Sequence, residues 1–227
     1  PLPPDSEDPE SEWDAAAIAA EGVGEGELDI LIEGSIFLRG EDSSLVVTSP
    51  QRVKFATSFI EVNDGIVVDG RGETYEAVRI AGQDAHLHSS VFIDATAVIT
   101  SYGQGSHIEI TGQGDVDIYG TVLAGGSIGP TGVTWSGPDA QVTVSSGEQV
   151  YIQSGLLASG SVTVEGGIGE YVTELDEDNN EIGDDDRSRD PDQERMLSVV
   201  LDTAAGLTSA GRTSSDVTAV VSVYGEG

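Results

Sequence analysis

The stretch ELDEDNNEIGDDDRSRDPDQE, residues 174–194, concentrates carboxylates more densely than any other part of the chain. Asp176, Asp178 and Asn180 set side-chain oxygens at alternate positions, and Asp184, Asp185 and Asp186 follow. Calcium takes about six to eight oxygen ligands in a flexible geometry, which a short acidic loop can supply. Glu181 stands where an EF-hand loop needs a glycine for its sharp turn, and no helical pattern frames the segment. The competing reading is a solvated acidic loop. Calcium is the one cofactor expectation that the sequence raises.

Histidine is the next candidate. His86 and His88 share one side of a strand if Leu87 faces a core, since strand side chains alternate. His107, placed beside them, would complete a zinc-like trio; surface histidines on a polar face are the simpler reading.

Asp115 and Asp117 flank Val116 and Ile118, which puts both carboxylates on an outward face near Glu109. Polysaccharide-cleaving enzymes use such carboxylates with a basic residue, or as an acidic pair about a glycosidic bond. Arg79 and Arg52 are the nearest basic residues in pattern, and they are scattered. Trp135 and Tyr119 are the best aromatic platforms for a sugar ring. No residue is assigned a catalytic role, and the expectation is that the chain is not an enzyme. GQGSHIEITGQG and GEGELDILIEG contain Gly-x-Gly, but a strand pattern follows each, so neither offers a helix N-terminus to a phosphate.

The elements that carry these residues must suit an unusual composition. The 227 residues include 30 glycines and no cysteine, aromatics make up 5%, and the only lysine is Lys54. A thin core of stacked aliphatic side chains fits better than a large aromatic one. The formal charge is −32, from 41 acidic and 9 basic residues. Such a surface repels nucleic acid and anionic membranes, and neither is expected as a partner. Absence of cysteine excludes disulfides and thiolate metal sites. The chain starts at Pro1 with no basic segment followed by an apolar one, and reads as a piece of something longer or a processed product. No apolar run reaches the roughly 18 residues of a membrane helix.

Along the chain, PLPPDSEDPES has little to bury. Ser11, Ala15–Ala17 and Gly22 then predict a short helix around residues 12–20, covering the open end of a strand stack. From Glu27 the pattern alternates: Leu28, Ile30, Ile32, then Ile36 and Leu38, then Leu45 and Val47, Val53 and Phe55, and Phe59 or Ile60. Gly, Asp, Ser and Pro mark corners every few residues.

The chain also repeats itself. SHIEITGQGDVDIYGTVLAGGSI (106–128) lies over AQVTVSSGEQVYIQSGLLASGSV (140–162), with Ile108 on Val142, Ile110 on Val144, Val116 on Val150 and Ile118 on Ile152. SVFIDATAVITSYG (90–103) lies over SVVLDTAAGLTSAG (198–211), and SSLVVTSPQRVKF (43–55) over 106–118. The unit is three short strands in about twenty residues, one coil of a parallel β-solenoid. The inserts 129–140 and 169–196 are read as loops between coils. Seven or eight coils about 4.8 Å apart make a rod of about 35–40 Å. An antiparallel sandwich is the runner-up, and the in-register repeats argue against it.

VFIDATAVITSYGQGSHIEITGQGDVDIYGTVLAGGSI resembles the haemagglutinin-type β-helical repeats of very large bacterial surface adhesins. The shared features are GDVDIYGTV followed by AGG, and VFIDATAVITSYGQG, with polar glycine-rich corners; the resemblance spans about residues 27–168 and 197–225. It implies export, an elongated rod and a spacer or adhesive role, and it carries no catalytic residues.

The expected fold is therefore all-β: a right-handed parallel β-helix with three short strands per coil, plus the N-terminal helix. Its regions are 1–25, acidic and proline-rich with the capping helix; 26–168, repeats; 169–196, acidic insertion; and 197–227, continuing repeats. The expected function is a structural or adhesive rod segment of a large exported bacterial surface protein. The expected partners are neighbouring repeats of the same or identical chains, and surface glycans or another cell. Alternatives are a subunit of an end-to-end extracellular filament, a calcium- or glycan-binding module, and a polysaccharide lyase-like enzyme.

Overall fold

A computed structural model of the chain describes residues 15–19, 30–72, 74–80, 83–167, 198–202, 204–213 and 220–225; side chains of 15–19, 74–80 and 83–88 lie outside that description. The described residues form twenty strands and no helix. In chain order they are β1 (Ala15–Ala19), β2 (Ile30–Leu38), β3 (Ser44–Ser49), β4 (Val53–Val62), β5 (Gly65–Gly70), β6 (Thr74–Ile80) and β7 (Gln83–Ile93). Then come β8 (Val98–Ser101), β9 (His107–Gly112), β10 (Asp115–Ile118), β11 (Thr121–Ala124), β12 (Gly126–Gly129), β13 (Gly132–Trp135) and β14 (Gln141–Ser146). The last are β15 (Val150–Ile152), β16 (Gly155–Ala158), β17 (Ser161–Gly166), β18 (Val199–Leu201), β19 (Gly206–Ser209) and β20 (Val221–Gly225).

Two sheets hold nearly all of them, and most pairings are parallel. The seven-stranded sheet runs β1-β3-β5-β9-β14-β17-β20. The eleven-stranded sheet has two arms that meet at β4: one continues through β7, β10, β15 and β18, the other through β8, β11, β16 and β19. Residues Val53–Phe55 of β4 pair with β7, and Phe59–Val62 pair with β8. Thr57, between the two halves, has a φ of 49°. Beside it, the pairing of β2 with β4 shifts register between Ile32 and Gly34, and Gly34 has a φ of 94°. Here the chain bends from one arm into the other without leaving the sheet. That bend explains why Ile60 and Val62 are buried while Phe59 is not: the alternation restarts after Thr57.

Strand register makes columns of the alternating aliphatics. Leu45, Ile66, Ile108, Val142, Val162 and Val221 are successive partners in the first sheet. Ile30, Val53, Val91, Val116, Val150 and Val199 follow one another in one arm. Ile36, Ile60, Ile99, Val122, Leu156 and Leu207 do so in the other. The buried members of all three columns belong to one continuous core. Each fully buried Val, Leu or Ile contributes about 1.5–3 kcal/mol, so the columns carry most of the apolar stabilisation. The register matches the repeats read from the sequence, including Ile108 on Val142 and Val116 on Val150.

The helix expected around residues 12–20 is corrected. Ala15–Ala19 is a strand, parallel to β3 with Ala15 on Ser44 and Ile18 on Val47. Alanine favours helix by well under about 1 kcal/mol per residue over most residue types. The unpaired edge of β3 offers a hydrogen-bond ladder that outweighs this preference.

Two hairpins interrupt the parallel pattern. β6 pairs antiparallel with the first half of β7, Thr74 on Ser89 through Ile80 on Gln83. β12 and β13 pair antiparallel across the start of the insert read as a loop (129–140), Gly126 on Trp135 through Gly129 on Gly132. Pro130 and Thr131 make the turn, and Gly132 takes a φ of 109° that favours glycine.

Corners are tied by buried serines. The Ser90 hydroxyl accepts the Gly114 N–H at 2.7 Å, and the Ser146 hydroxyl donates to the Gly114 carbonyl at 2.7 Å. The Ser159 hydroxyl accepts the Ala140 N–H at 3.2 Å. These bonds satisfy backbone groups where the chain leaves one sheet for the other, which is why polar residues sit at 0–9% exposure there.

Candidate functional site

Among the described residues, a cluster of ionisable and aromatic side chains lies on the outward side of the arm that contains β7, β10 and β15. Lys54, Phe92, Asp117 and Tyr151 are successive register partners there, one position off the core columns. The Tyr119 ring packs between Phe92 and Tyr151, with ring centres 5.6 and 5.4 Å away. The Lys54 ammonium sits 5.4 Å from the Phe92 ring centre, within cation–π range. The Tyr151 hydroxyl donates to Oδ2 of Asp202 at 2.8 Å, and Nε2 of Gln153 donates to the same oxygen at 3.1 Å.

Charge in this strip favours protonated phenols. Burial, then the hydrogen bond to Asp202 and the negative charges of Asp202 and Asp117, pushes Tyr151 up to about 12. Burial together with Asp117, Tyr151 and Asp202 raises Tyr119 further still. Neither phenol is a base at neutral pH. Both are hydrogen-bond donors set in a stacked aromatic ladder.

Asp115 and Asp117, expected on the solvated surface, do leave the core columns but are buried under their neighbours at 5% and 6% exposure. Oδ1 of Asp115 accepts the Gln149 N–H at 2.9 Å from the next strand. Phe92 and Tyr151, its register partners, flank Asp117, and alternation alone does not reveal such cover.

Of the two expected sugar platforms, Tyr119 is 8% exposed, with its neighbours stacked against it. Trp135 lies at the end of β13, half-buried, with its ring over Gly126. Its carbonyl accepts Nη1 of Arg212 at 2.9 Å. Tyr119 follows β10 of the eleven-stranded sheet, whereas Trp135 ends β13 of the two-stranded one. Asp176, Asp178, Asn180, Asp184, Asp185 and Asp186 lie outside the described residues, as do the side chains of His86 and His88. His107 is exposed in β9 beside Gly65, where a Cβ would collide with the imidazole. Among the described residues no group of three or more His, Asp or Glu side chains is arranged to hold a metal ion, and no helix is long and apolar enough to cross a membrane.

Alternation gave no sign of a second feature, an open cleft of about 590 Å³ near one end of the seven-stranded sheet. Ser145, Glu165 and Tyr224 line it, successive register partners of one outward column. Gly147, Gly166 and Gly167 also line it. Comparison with models of known families, with curated proteins and with solved structures finds no match to the chain.

Proposed function

We propose that the chain is a segment of a right-handed parallel β-helix, with three strands in coils of about twenty residues, serving as a non-catalytic structural rod in an exported bacterial surface protein. One observation carries this reading. The chain passes from the seven-stranded sheet to one arm and then the other, repeatedly, and each pass stacks in register on an earlier one around one core. A stack of that kind transmits load from strand to strand along its axis. The resemblance of residues 27–168 and 197–225 to adhesin repeats adds the expectation of a cell-surface setting. The strip around Tyr119 supports a rod over an enzyme, because its carboxylates are engaged and its phenols keep their protons.

Single-molecule pulling from the two chain ends tests the reading. A stack whose ends lie at opposite poles peels one coil at a time. Each event should release about 70 Å, from about twenty residues at about 3.3–3.6 Å each. Release of the whole contour in one event would overturn the rod and favour a cooperative sandwich.

A further inference from the structure

The arm that contains β8 and β11 carries a second outward strip, and across β2 and β4 that strip is accessible to solvent. Ser35 pairs with Phe59 and Phe37 with Glu61, so Phe37 and Phe59 are diagonal neighbours. Their ring centres lie 5.7 Å apart at an interplanar angle of 44°. Phe37 is 48% exposed, where Phe92 of the first strip is 3% exposed. The Arg39 guanidinium sits 5.1 Å from the Phe37 ring centre, and its Nε lies 3.3 Å from Oε1 of Glu61. An exposed ion pair of this kind adds little stability, and its groups stay available to a ligand. Tyr102 follows β8 on a later pass. Burial, then the charge of Glu61, raises its phenol above the ordinary tyrosine value, against a smaller opposing effect of Arg39. The phenol is therefore a hydrogen-bond donor at neutral pH. The Ser136 hydroxyl donates to the Tyr102 carbonyl at 2.7 Å, which sets the foot of the β12–β13 hairpin at the border of the strip.

We propose that Phe37, Arg39, Phe59, Glu61 and Tyr102 form a binding site for an uncharged sugar chain. The Phe37–Phe59 step offers a surface to the apolar C–H face of a pyranose ring. Around it, Arg39 supplies a fork of donors, Glu61 an acceptor and Tyr102 a donor for the hydroxyls at the ring's edge. A lipid chain would leave these polar groups unused, and an anionic chain would meet the net charge of −32. Arg39 and Glu61 cancel within the strip, so the ligand that fits is neutral. Phe37 and Phe59 alternate with Ile36, Leu38 and Ile60, which pack in the core, so both rings face outward. A further coil stacked on β2 would lengthen the strip rather than cover it. The proposal goes beyond the rod reading and needs only the local pairing of β2, β4 and β8. It also moves the aromatic platform from Tyr119, which its neighbours cover, to Phe37 and Phe59.

Titration calorimetry of the whole chain tests this with three probes: cellohexaose and mannohexaose, which are flat and uncharged, and polygalacturonate, which is anionic. Saturable binding of at least one neutral hexasaccharide is expected, and none of polygalacturonate. Phe37→Ala should weaken the binding at least about tenfold, as loss of a central contact residue does. Phe37→Tyr keeps the platform and should bind as the native chain does. Leu31→Ala removes another exposed outward side chain of β2, 55% exposed, and should leave binding unchanged. Urea midpoints of the Phe37 variants, expected to match that of the native chain, separate lost binding from lost folding. No saturable heat with either neutral hexasaccharide overturns the site. Tighter binding of polygalacturonate overturns its preference for a neutral chain. Sugar binding that survives Phe37→Ala undiminished places the ligand elsewhere and overturns the assignment to this strip.

Discussion

The Tyr151 hydroxyl and the Asp202 carboxylate are joined at 2.8 Å between β15 and the corner after β18. This bond fastens the last pass of that arm to the one before it. Burial and this bond raise Tyr151 to about 12, above the ordinary tyrosine value near 10. The folded chain therefore holds the phenolic proton more tightly than the unfolded chain does. Its contribution to stability is complete below about pH 10 and is lost as pH rises through about 12. Denaturation midpoints should be flat from neutral pH to about 10 and then fall, with tyrosinate absorbance appearing in the same interval. Tyr151→Phe should cost about 1 kcal/mol at neutral pH and weaken the alkaline fall. An unchanged alkaline profile in that variant would show that the bond does not form.

Gly166 and Gly206 separate two uses of glycine in the same stack. A Cβ at Gly166 would collide with the Ser198 carbonyl oxygen, whereas one at Gly206 meets nothing within 4 Å. Gly166→Ala should destabilise by about 1–3 kcal/mol, because a backbone atom has to move. Gly206→Ala should be neutral or slightly stabilising, as the unfolded chain loses freedom. Urea midpoints of the two variants measure the contrast, and equal effects would contradict the close corner at Gly166.

Val91 and Val199 show how much was legible. Their alignment in the sequence repeats becomes one physical column through Val116 and Val150. Periodicity reports that column because each residue must fill the same space as its neighbours above and below. Ala15–Ala19 shows where legibility ends. Its composition favours a helix, while a strand edge distant in sequence determines the outcome. The β12–β13 hairpin was missed because its strands are short and glycine-rich and neither alternates between buried and exposed positions. The buried state of Asp117 was hidden for a related reason: its cover comes from side chains on other passes.

Leu156 and Leu207 are register partners in one core column, but among the described residues only Leu156 has a strand stacked on each side. Leu156 is fully buried and Leu207 partly so. Leu156→Ala should cost about 2–5 kcal/mol, from lost burial and the cavity left behind. Leu207→Ala should cost less than half as much, because its site is already open on one side. Comparable losses would mean that the β19 edge is covered in solution.

Ser146 tests whether the corners are held by specific bonds or by small size alone. It shares a column with Gly70, Gly112, Gly166 and Gly225, so the space there admits little more than a hydroxymethyl group. Its hydroxyl donates to the Gly114 carbonyl at 2.7 Å and accepts the Glu148 N–H at 2.9 Å. Ser146→Ala keeps the volume close and removes both bonds, leaving the Gly114 carbonyl without its side-chain donor. The expected cost is about 1–3 kcal/mol. Ser146→Val adds bulk as well and should cost more, through the same crowding that excludes a side chain at Gly166. Thermal or urea unfolding of the pair separates the contributions. If alanine is neutral and valine severe, the corner selects for size alone, and the hydroxyl bonds are incidental to its stability.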